Sequence, residues 1–281
     1  MRTGSNPNRR APVTGFAPVV ISATTHLPNL KGYHEQRMQV IKASLETMRA
    51  NAGADCQILI WDNGSCDQLV NWLRRSYKPD YLVTSQNVGK SIARSSIVRM
   101  LPPETIIGCA DDDIYYYPDW LKAHLEIYRV YPKIGSISGW PVRTQFRFHN
   151  KSTLEWAHRF AERYEIDHWI SEQEDMDFCT SIGRDYNQHI AGTPFDQETR
   201  ISYKGVFAYA TGHHCQWIGN AGTLAPLVDF TRQAMADERP FEKAIDDAGL
   251  LRLTTYKRYT RHIGNILDKE LEVEWQKIRQ Q

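Results

Sequence analysis

The chain has 281 residues, enough to bury a sizeable core as one large α/β domain or as a domain with an elaborated second half. Its formal net charge of +1 gives no support to a nucleic-acid partner. Five scattered cysteines without CxxC spacing favour reduced thiols and argue against a zinc site or a disulfide framework.

The N-terminal segment and the hydropathy of the chain predict where the protein resides. Residues 1–16 are rich in Asn, Pro, Arg and Gly, which predicts a disordered leader. This leader has arginines but lacks the apolar core of a secretory signal. No stretch approaches the roughly 20 apolar residues that a membrane span requires. We therefore expect a cytoplasmic protein without a transmembrane segment, with peripheral attachment at the inner membrane face as the alternative.

Strands and helices alternate from residue 18 to about residue 140. Short apolar, β-branched runs predict strands over residues 19–23, 56–61, 81–84, 105–110 and 134–137. Helical spacing of apolar residues predicts helices ending near residue 49 and over residues 67–77, 90–100 and 119–130. This alternation predicts an α/β fold with a mostly parallel sheet flanked by helices.

The second half of the chain has less regular periodicity. Residues 145–210 are rich in aromatic residues and histidine, and only a helix over residues 155–164 is predicted there. A strand is expected over residues 250–255. In the final segment, 267–281, apolar residues at helical spacing (Leu267, Leu271, Trp275 and Ile278) predict a helix that packs on the body. A homodimer or membrane-surface contact is the alternative.

The strongest chemical signal is the stretch TIIGCADDD, in which an apolar strand ends in Asp111, Asp112 and Asp113. Three adjacent acids repel one another unless a cation lies between them. Carboxylate oxygens at a strand end suit Mg²⁺ or Mn²⁺, and ligands of open α/β sheets bind at the carboxyl ends of the strands. A solvated acidic turn is the alternative reading.

The other predicted parallel strands also end in polar residues. Thr24 follows the first strand, Asp62 the second, and Asn87 with Gly89 and Lys90 follows the third at the start of a helix. Each is a common turn or cap residue when taken alone. Together, a hydroxyl, separate carboxylates and a helix N-terminus could hold a base, a ribose and a diphosphate.

These motifs in this order resemble a known family. The segments Asp62-Asn63-Gly64-Ser65, Asn87-x-Gly89-x-x-x-Ala93-Arg94 and Asp111-Asp112-Asp113 look like the GT-A fold of family 2 glycosyltransferases. The resemblance covers about residues 19–140. It implies a GT-A domain over residues 17–266, with a nucleotide-sugar-binding half (17–144) and an acceptor-binding half (145–266).

The same resemblance implies an activity and its cofactor. The enzyme would move a sugar from a UDP- or GDP-type nucleotide sugar to a hydroxyl of a carbohydrate or other acceptor, with inversion. Mn²⁺ or Mg²⁺ would be the cofactor. Thr24 and Asp62 would contact the nucleobase and ribose, Asp111 would bind the ribose, and Asp112 would be a further nucleotide-sugar-binding residue.

The resemblance also implies a metal site. Asp113 would hold the metal that bridges the diphosphate, and a late histidine, His262, would complete the metal shell, because imidazole is an acceptable ligand beside carboxylate. A structural role for this histidine is the alternative. Lys90 and Arg94 lie where a cation could meet phosphate, or are solvated helix residues.

A base for the acceptor hydroxyl is expected in the second half. Residues 237–250 resemble the acidic-pair helix of the family, in which the second acid is the base of inverting members. Glu238 is therefore the first choice and Asp237 the second, although the pair is Asp-Glu where the family usually has Glu-Asp. Asp175 and Asp177 are rivals, and a solvated helix face is the alternative for each. The role requires a carboxylate within hydrogen-bond reach of the hydroxyl.

Two other functional classes fit parts of the sequence. A sugar-phosphate nucleotidyltransferase would need a Gly-rich, basic loop after the first strand, but the loop at residues 24–32 has a single glycine at its far end. A non-catalytic module that binds nucleotides or sugars is the third reading.

Overall fold

The computed structural model describes residues 15–192, 198–228 and 238–280. Twelve strands are described: β1 (Val19–Thr25), β2 (Gln57–Asn63), β3 (Tyr81–Ser85), β4 (Ile106–Asp111), β5 (Ile114–Tyr116), β6 (Ile134–Ser138), β7 (Arg163–Asp167), β8 (Glu198–Tyr203), β9 (Val206–Tyr209), β10 (Gln216–Asn220), β11 (Leu251–Thr255) and β12 (Thr260–His262). Ten α-helices are described: α1 (Arg37–Ala50), α2 (Asp67–Trp72), α3 (Lys90–Met100), α4 (Trp120–Val130), α5 (Lys151–Phe160), α6 (Glu172–Ser181), α7 (Tyr186–Gly192), α8 (Ala221–Leu224), α9 (Arg239–Asp247) and α10 (Lys269–Arg279).

One large mixed sheet runs through both halves of the molecule. Ten strands lie in the order β3-β2-β1-β4-β10-β6-β11-β9-β8-β7, and β5 pairs with β12 in a separate two-stranded sheet. The first four strands are parallel to one another, as are β6 and β11. Strand β10 is antiparallel to both of its neighbours, and β7, β8 and β9 are antiparallel. The predicted α/β class is confirmed, and the parallel part is concentrated in the first half.

The parallel strands are buried on both faces, because helices cover both sides of the sheet. Successive residues of β2 enter different cores: Ile58 and Ile60 pack with Leu45 of α1, whereas Leu59 packs with Ile97 of α3. This period of two follows from the pleat of a strand. Because both faces of the strands are buried, the strand sequences are continuously apolar and end abruptly where the sheet meets solvent.

Two predictions for the second half have different outcomes. The helix predicted over residues 155–164 is wrong at its end: α5 stops at Phe160, and Tyr164 lies in β7, where it pairs with Ile201 of β8. The C-terminal helix is present as α10, and its residues Leu271 and Trp275 are buried against the body, as predicted. Within the described ranges, no helix is both long enough and apolar enough to cross a bilayer.

Candidate active site

A cavity of about 970 Å³ opens at the carboxyl ends of the parallel strands. This volume lies within the range of roughly 300–1,000 Å³ typical of small-molecule sites. One wall carries residues predicted from the strand ends, namely Thr24, Asn87, Lys90, Asp111, Asp112 and Asp113. The cavity is also lined by residues of α6, of β12 and of the segments that follow them, including Asp177, Ser181, Ile182, His262 and Ile266. The chain thus brings His262 and most of the predicted donor residues to one cavity, while Asp62 and Gly89 are not among its described lining residues.

Asp111 at the end of β4 is neutralised by two cations of α3. Lys90 Nζ lies 2.6 Å from Asp111 Oδ1, and an Arg94 guanidinium nitrogen lies 2.9 Å from the same oxygen. Burial alone would raise the pKa of Asp111, but Lys90 and Arg94 outweigh burial and hold that pKa well below its usual range. Burial and Arg94 act to lower the pKa of Lys90, but the nearby carboxylates raise it overall, so Lys90 stays charged.

Asp112 and Asp113 share a third cation, Arg37, in the first turn of α1. Its guanidinium contacts Asp112 and lies 2.9 Å from Asp113 Oδ2. It also donates to the Gly264 carbonyl at 3.1 Å, which ties the acids to the segment after β12. Burial raises the pKa of Asp112 to about 6, against the opposing effect of Arg37. Side-chain cations therefore balance the acidic triplet, whereas the sequence had suggested a metal alone.

Arg37 was missed by sequence reasoning, although a signal exists. It lies four residues before Ile41 and so falls on the apolar face of α1. An arginine on a buried helix face needs carboxylate partners, because a buried charge is rarely left unpaired.

Strand pairing brings His262 beside Asp113. Strand β12 is antiparallel to β5 with His262 opposite Ile114, and Ile263 N donates to the Asp113 carbonyl at 2.7 Å. His262 Nε2 lies 3.5 Å from Asp113 Oδ1, and His262 Nδ1 is hydrogen-bonded to Ser181 Oγ at 2.9 Å. Asp113 Oδ1 is buried and has no hydrogen-bond partner among the described residues. An unpartnered carboxylate oxygen beside an imidazole fits a divalent cation.

The described part of the chain supplies only a small metal-ligand set. Within residues 15–192, 198–228 and 238–280, no three or more His, Cys, Asp or Glu side chains form a group that could hold a metal ion. The two candidates, Asp113 and His262, would need additional ligands from outside the protein. Mg²⁺ sites commonly have this composition, with one or two carboxylates completed by substrate phosphates and water.

Two predicted nucleoside-binding residues retain unused hydrogen-bonding capacity. The Thr24 hydroxyl is buried without a partner in the part of the chain that is described. Asp62 is 2% exposed and accepts two long hydrogen bonds, from Thr25 Oγ1 at 3.4 Å and from Ser65 N at 3.5 Å. Thr24 lines the cavity. Asp62 is not among the described residues that line it, but its neighbour Asn63 is.

Asn63 and Asn87 fix the turn that leads into α3. Asn87 Oδ1 accepts from Asn63 Nδ2 at 3.1 Å and from Gly89 N at 3.0 Å, while Asn63 Oδ1 accepts from Val88 N at 2.8 Å. Gly89 has φ of +87°, a conformation that favours glycine, and α3 begins at the next residue. The Asn-x-Gly turn therefore places Lys90 at the start of α3, where it lines the cavity. The sequence indicated only a turn at Asn63, and its bridging role was missed.

Glu238 contacts Lys90 but is not among the described residues that line the main cavity. It directly precedes α9, its Oε1 lies 3.4 Å from Lys90 Nζ, and the same oxygen contacts Arg94. Its other oxygen, Oε2, is buried and has no hydrogen-bond partner among the residues described. Glu238 lines a smaller hollow beside Arg94 and Phe241. Asp237 lies outside the described residues.

The two rival acids on α6 are already engaged. Asp175 is buried and forms an ion pair with Arg143 at 2.6 Å. Asp177 lines the cavity, but its oxygens face Arg258 at 2.6 Å and Arg261 at 3.3 Å. Burial would raise the pKa of Asp177, and its hydrogen bonds, chiefly from Arg258, lower that pKa overall. A carboxylate held in this way is a weak proton acceptor.

Comparison with known proteins gives one family match. The sequence model described as "Glycosyl transferase family 2" matches residues 33–191, more than half of the chain. A search of curated proteins finds no match. The matched range contains residues 62–65, 87–94 and 111–113, on which the predicted resemblance depended, but not Thr24, Glu238 or His262.

Three solved structures match the chain at low sequence identity. The mannosyltransferase PcManGT from Pyrobaculum calidifontis, in complex with GDP-Man and Mn²⁺, is 18% identical with a TM-score of 0.36, over 50% of this chain and 41% of that one. GalNAc-T7 with UDP, GalNAc and Mn²⁺ is 12% identical with a TM-score of 0.48, over 87% and 42%. S. aureus TarS 1-349 is 11% identical with a TM-score of 0.48, over 92% and 62%. The chain spans less than two thirds of each of these structures.

The acceptor, a dimer contact and the cytoplasmic location stay predictions.

Proposed function

The chain belongs to glycosyl transferase family 2, and on that basis we propose that it is a metal-dependent enzyme that moves a sugar from a nucleoside-diphosphate sugar to an acceptor hydroxyl. One observation carries the proposal: a cavity of about 970 Å³ joins the strand ends, the acidic triplet and His262. The donor is of UDP or GDP type, bound mainly by residues 17–144, and the acceptor approaches from residues 145–266.

The nucleoside would occupy the ends of β1 and β2. Thr24 has a buried hydroxyl without a partner among the described residues and can donate or accept, whereas Asp62, which has only long hydrogen bonds, can accept from a base or a ribose hydroxyl. Asp111, at the neighbouring end of β4, would take a ribose hydroxyl. Lys90 lines the cavity between these residues and offers a positive charge to the diphosphate.

Asp113 and His262 would hold the divalent cation, Mn²⁺ or Mg²⁺. The buried Asp113 oxygen without a hydrogen-bond partner in the described chain supports this assignment. The donor phosphates and water would complete the ligand set, as is usual for Mg²⁺. When bound, the cation would offset the negative charge of the departing nucleoside diphosphate.

Glu238 is our proposed base. Both Glu238 and Asp177 face two cations, but Glu238 keeps one buried carboxylate oxygen without a partner among the described residues. Glu238 lines the smaller hollow beside Arg94, so this role requires the acceptor hydroxyl to reach that hollow. Glu238 would take the acceptor proton as the hydroxyl oxygen bonds to the anomeric carbon of the sugar. The bond from that carbon to the diphosphate oxygen breaks at the same time, with inversion, and Lys90 stabilises the departing charge.

The test is hydrolysis of a panel of UDP and GDP sugars by the metal-stripped protein, with and without added Mn²⁺. We expect slow hydrolysis of one donor that depends on Mn²⁺. Asp113→Ala should abolish it and weaken binding of the matching nucleoside diphosphate in a protein that still folds, although loss of the ion pair with Arg37 should lower the melting temperature. The exposed acid Asp247, which pairs with Lys243 on the surface, provides the matched control Asp247→Ala.

Other outcomes would favour the alternatives. Pyrophosphate release from a nucleoside triphosphate and a sugar phosphate would indicate a nucleotidyltransferase. Binding of nucleotide sugars without turnover of any donor or acceptor would indicate a non-catalytic module. Unchanged nucleoside-diphosphate affinity of Asp113→Ala in Mn²⁺ would show that the metal assignment is wrong.

A further inference from the structure

Four charged residues join the donor edge of the sheet to the start of α9. Lys90 and Arg94 lie one helical turn apart on α3 and face the same side. Each of them contacts both Asp111 and Glu238: Lys90 Nζ lies 2.6 Å and 3.4 Å from the two carboxylates, and Arg94 contacts the same two oxygens. We call these four residues the Arg94 quartet.

Arg94 is the inner member of the Arg94 quartet. The side chains of Arg94 and Glu238 are 7% and 9% exposed, whereas that of Lys90 is 28% exposed and lines the cavity. Arg94 also donates to the His214 carbonyl at 3.2 Å, which fixes its guanidinium in the protein. Because ion pairs are stronger away from water, the contact of Arg94 with Glu238 determines where that carboxylate lies.

The two oxygens of Glu238 have different environments. Oε1 faces both cations, while Oε2 is buried and has no hydrogen-bond partner in the described chain. A carboxylate anchored through one oxygen keeps the other oxygen available for a proton. The planar fork of an arginine can hold two carboxylates at once, which a lysine in the same position cannot reproduce.

We propose that Arg94 is a positioning residue that contacts Asp111 and Glu238 at once and thereby holds Glu238 beside the donor-binding edge. This inference rests on the proposed function, in which Glu238 is the base. Arg94 itself does not touch the reacting atoms. Lys90 shares both contacts but lies at the cavity, where the diphosphate can take over its charge.

The test is a double-mutant cycle between Arg94→Lys and Glu238→Gln. The rate kcat, the donor KM and the affinity for the nucleoside diphosphate are measured for each variant with the donor identified by the hydrolysis panel. Arg94→Lys should lower kcat by roughly 10- to 100-fold while changing nucleoside-diphosphate affinity by less than about threefold. In the Glu238→Gln background, Arg94→Lys should cause no further loss, because its effect acts through the missing carboxylate.

Arg143→Lys is the matched control, since Arg143 is another buried arginine held between two carboxylates. It should change the melting temperature without changing kcat. Arg94→Gln provides a second variant with hydrogen-bond donors but no charge, in case Arg94→Lys folds poorly.

Each remaining outcome contradicts a different statement. Equal losses from Arg94→Lys in both backgrounds would overturn the positioning role and leave Glu238 as the base. Weaker nucleoside-diphosphate binding at unchanged kcat would show that Arg94 serves the donor through Asp111. A normal kcat in Glu238→Gln would overturn both the base assignment and this inference.

Discussion

The Arg94 quartet and a second buried cluster, formed by Arg143, Asp175 and Glu198, satisfy their charges in different ways. In this Arg143 cluster, Arg143 lies 2.6 Å from Asp175, contacts Glu198 and donates to the Ile170 carbonyl at 2.8 Å. The second oxygen of Glu198 accepts from Trp169 N. Burial raises the pKa of Glu198, against the opposing effects of the Trp169 hydrogen bond and of Arg143.

The Arg94 quartet has equal numbers of cations and anions but leaves hydrogen-bonding capacity unused. Glu238 Oε2 and Arg94 Nε are buried without partners among the described residues, and Lys90 and Asp111 open onto the cavity. Buried polar groups are normally paired, so unpaired ones at a cavity point to a ligand or a reaction. The Arg143 cluster thus joins β8 and α6, whereas the Arg94 quartet joins the cavity to the start of α9, in agreement with the role that we propose for it.

The largest difference between the two clusters should appear in the chemical step. Glu238→Gln should lower kcat by roughly 10²–10⁴-fold, because the amide cannot accept the acceptor proton. Donor affinity should barely change, since the base touches the acceptor. Asp177→Asn, at a carboxylate already held by two arginines, should leave kcat close to that of the wild type. Single-turnover transfer rates and calorimetric donor affinities provide the two measurements.

The reverse result would move the base to α6. Near-normal transfer by Glu238→Gln together with an inactive Asp177→Asn or Asp175→Asn would assign the role to that helix. If none of these variants slowed transfer while Asp113→Ala did, a retaining mechanism without a dedicated protein base would be the better account.

A large effect on stability is expected from the Arg143 cluster instead. Arg143→Met removes the cation between two buried carboxylates and should lower the free energy of unfolding by about 3–5 kcal/mol. Nucleoside-diphosphate affinity should be unchanged wherever the variant is folded. Urea denaturation measures the first quantity and calorimetry the second. Adding Asp175→Asn and Glu198→Gln should restore part of the stability, and a failure to do so would refute the ion-pair explanation.

Local sequence patterns were sufficient for the first half of the fold. Buried parallel strands are continuously apolar and end in polar turns, so β1 to β4 and the acidic triplet could be located from the sequence. The helix α3 was predicted close to its observed bounds, because the turn at residues 87–90 marks its start. The second half was less predictable, since β7 is an edge strand with mixed burial and no clear alternation.

The partners within the site could not be predicted, because they come from distant parts of the chain. Arg94 and Glu238 are 144 residues apart and meet only when α9 packs beside α3. Arg37 and Asp113 are 76 residues apart. His262 approaches Asp113 through the pairing of β12 with β5, a register that no local pattern shows. The residue types were visible in the sequence, but their charge balance required the tertiary structure.

The smallest expected effect comes from His124 of α4, which lies outside both clusters. Its side chain is fully buried, with Nδ1 2.6 Å from the Trp120 carbonyl oxygen and Nε2 3.3 Å from Gln216 Oε1. Burial lowers the pKa of His124 to about 4, against hydrogen bonds that act in the opposite direction. The folded protein therefore keeps His124 neutral at pH 5.5, where the same residue is largely protonated in the unfolded chain.

Between pH 6.5 and pH 4 the unfolded chain binds a proton at His124 that the folded protein does not bind. The contribution of His124 to the free energy of unfolding is therefore highest above pH 6.5 and decreases as the pH falls toward 4. Between pH 7.5 and pH 5.5 this residue should lower the free energy of unfolding by about 1 kcal/mol. Urea denaturation of the wild type and of His124→Gln at both pH values isolates the contribution, because every other titrating group is common to the two proteins. An identical pH dependence in both would mean that His124 accepts its proton in the folded state.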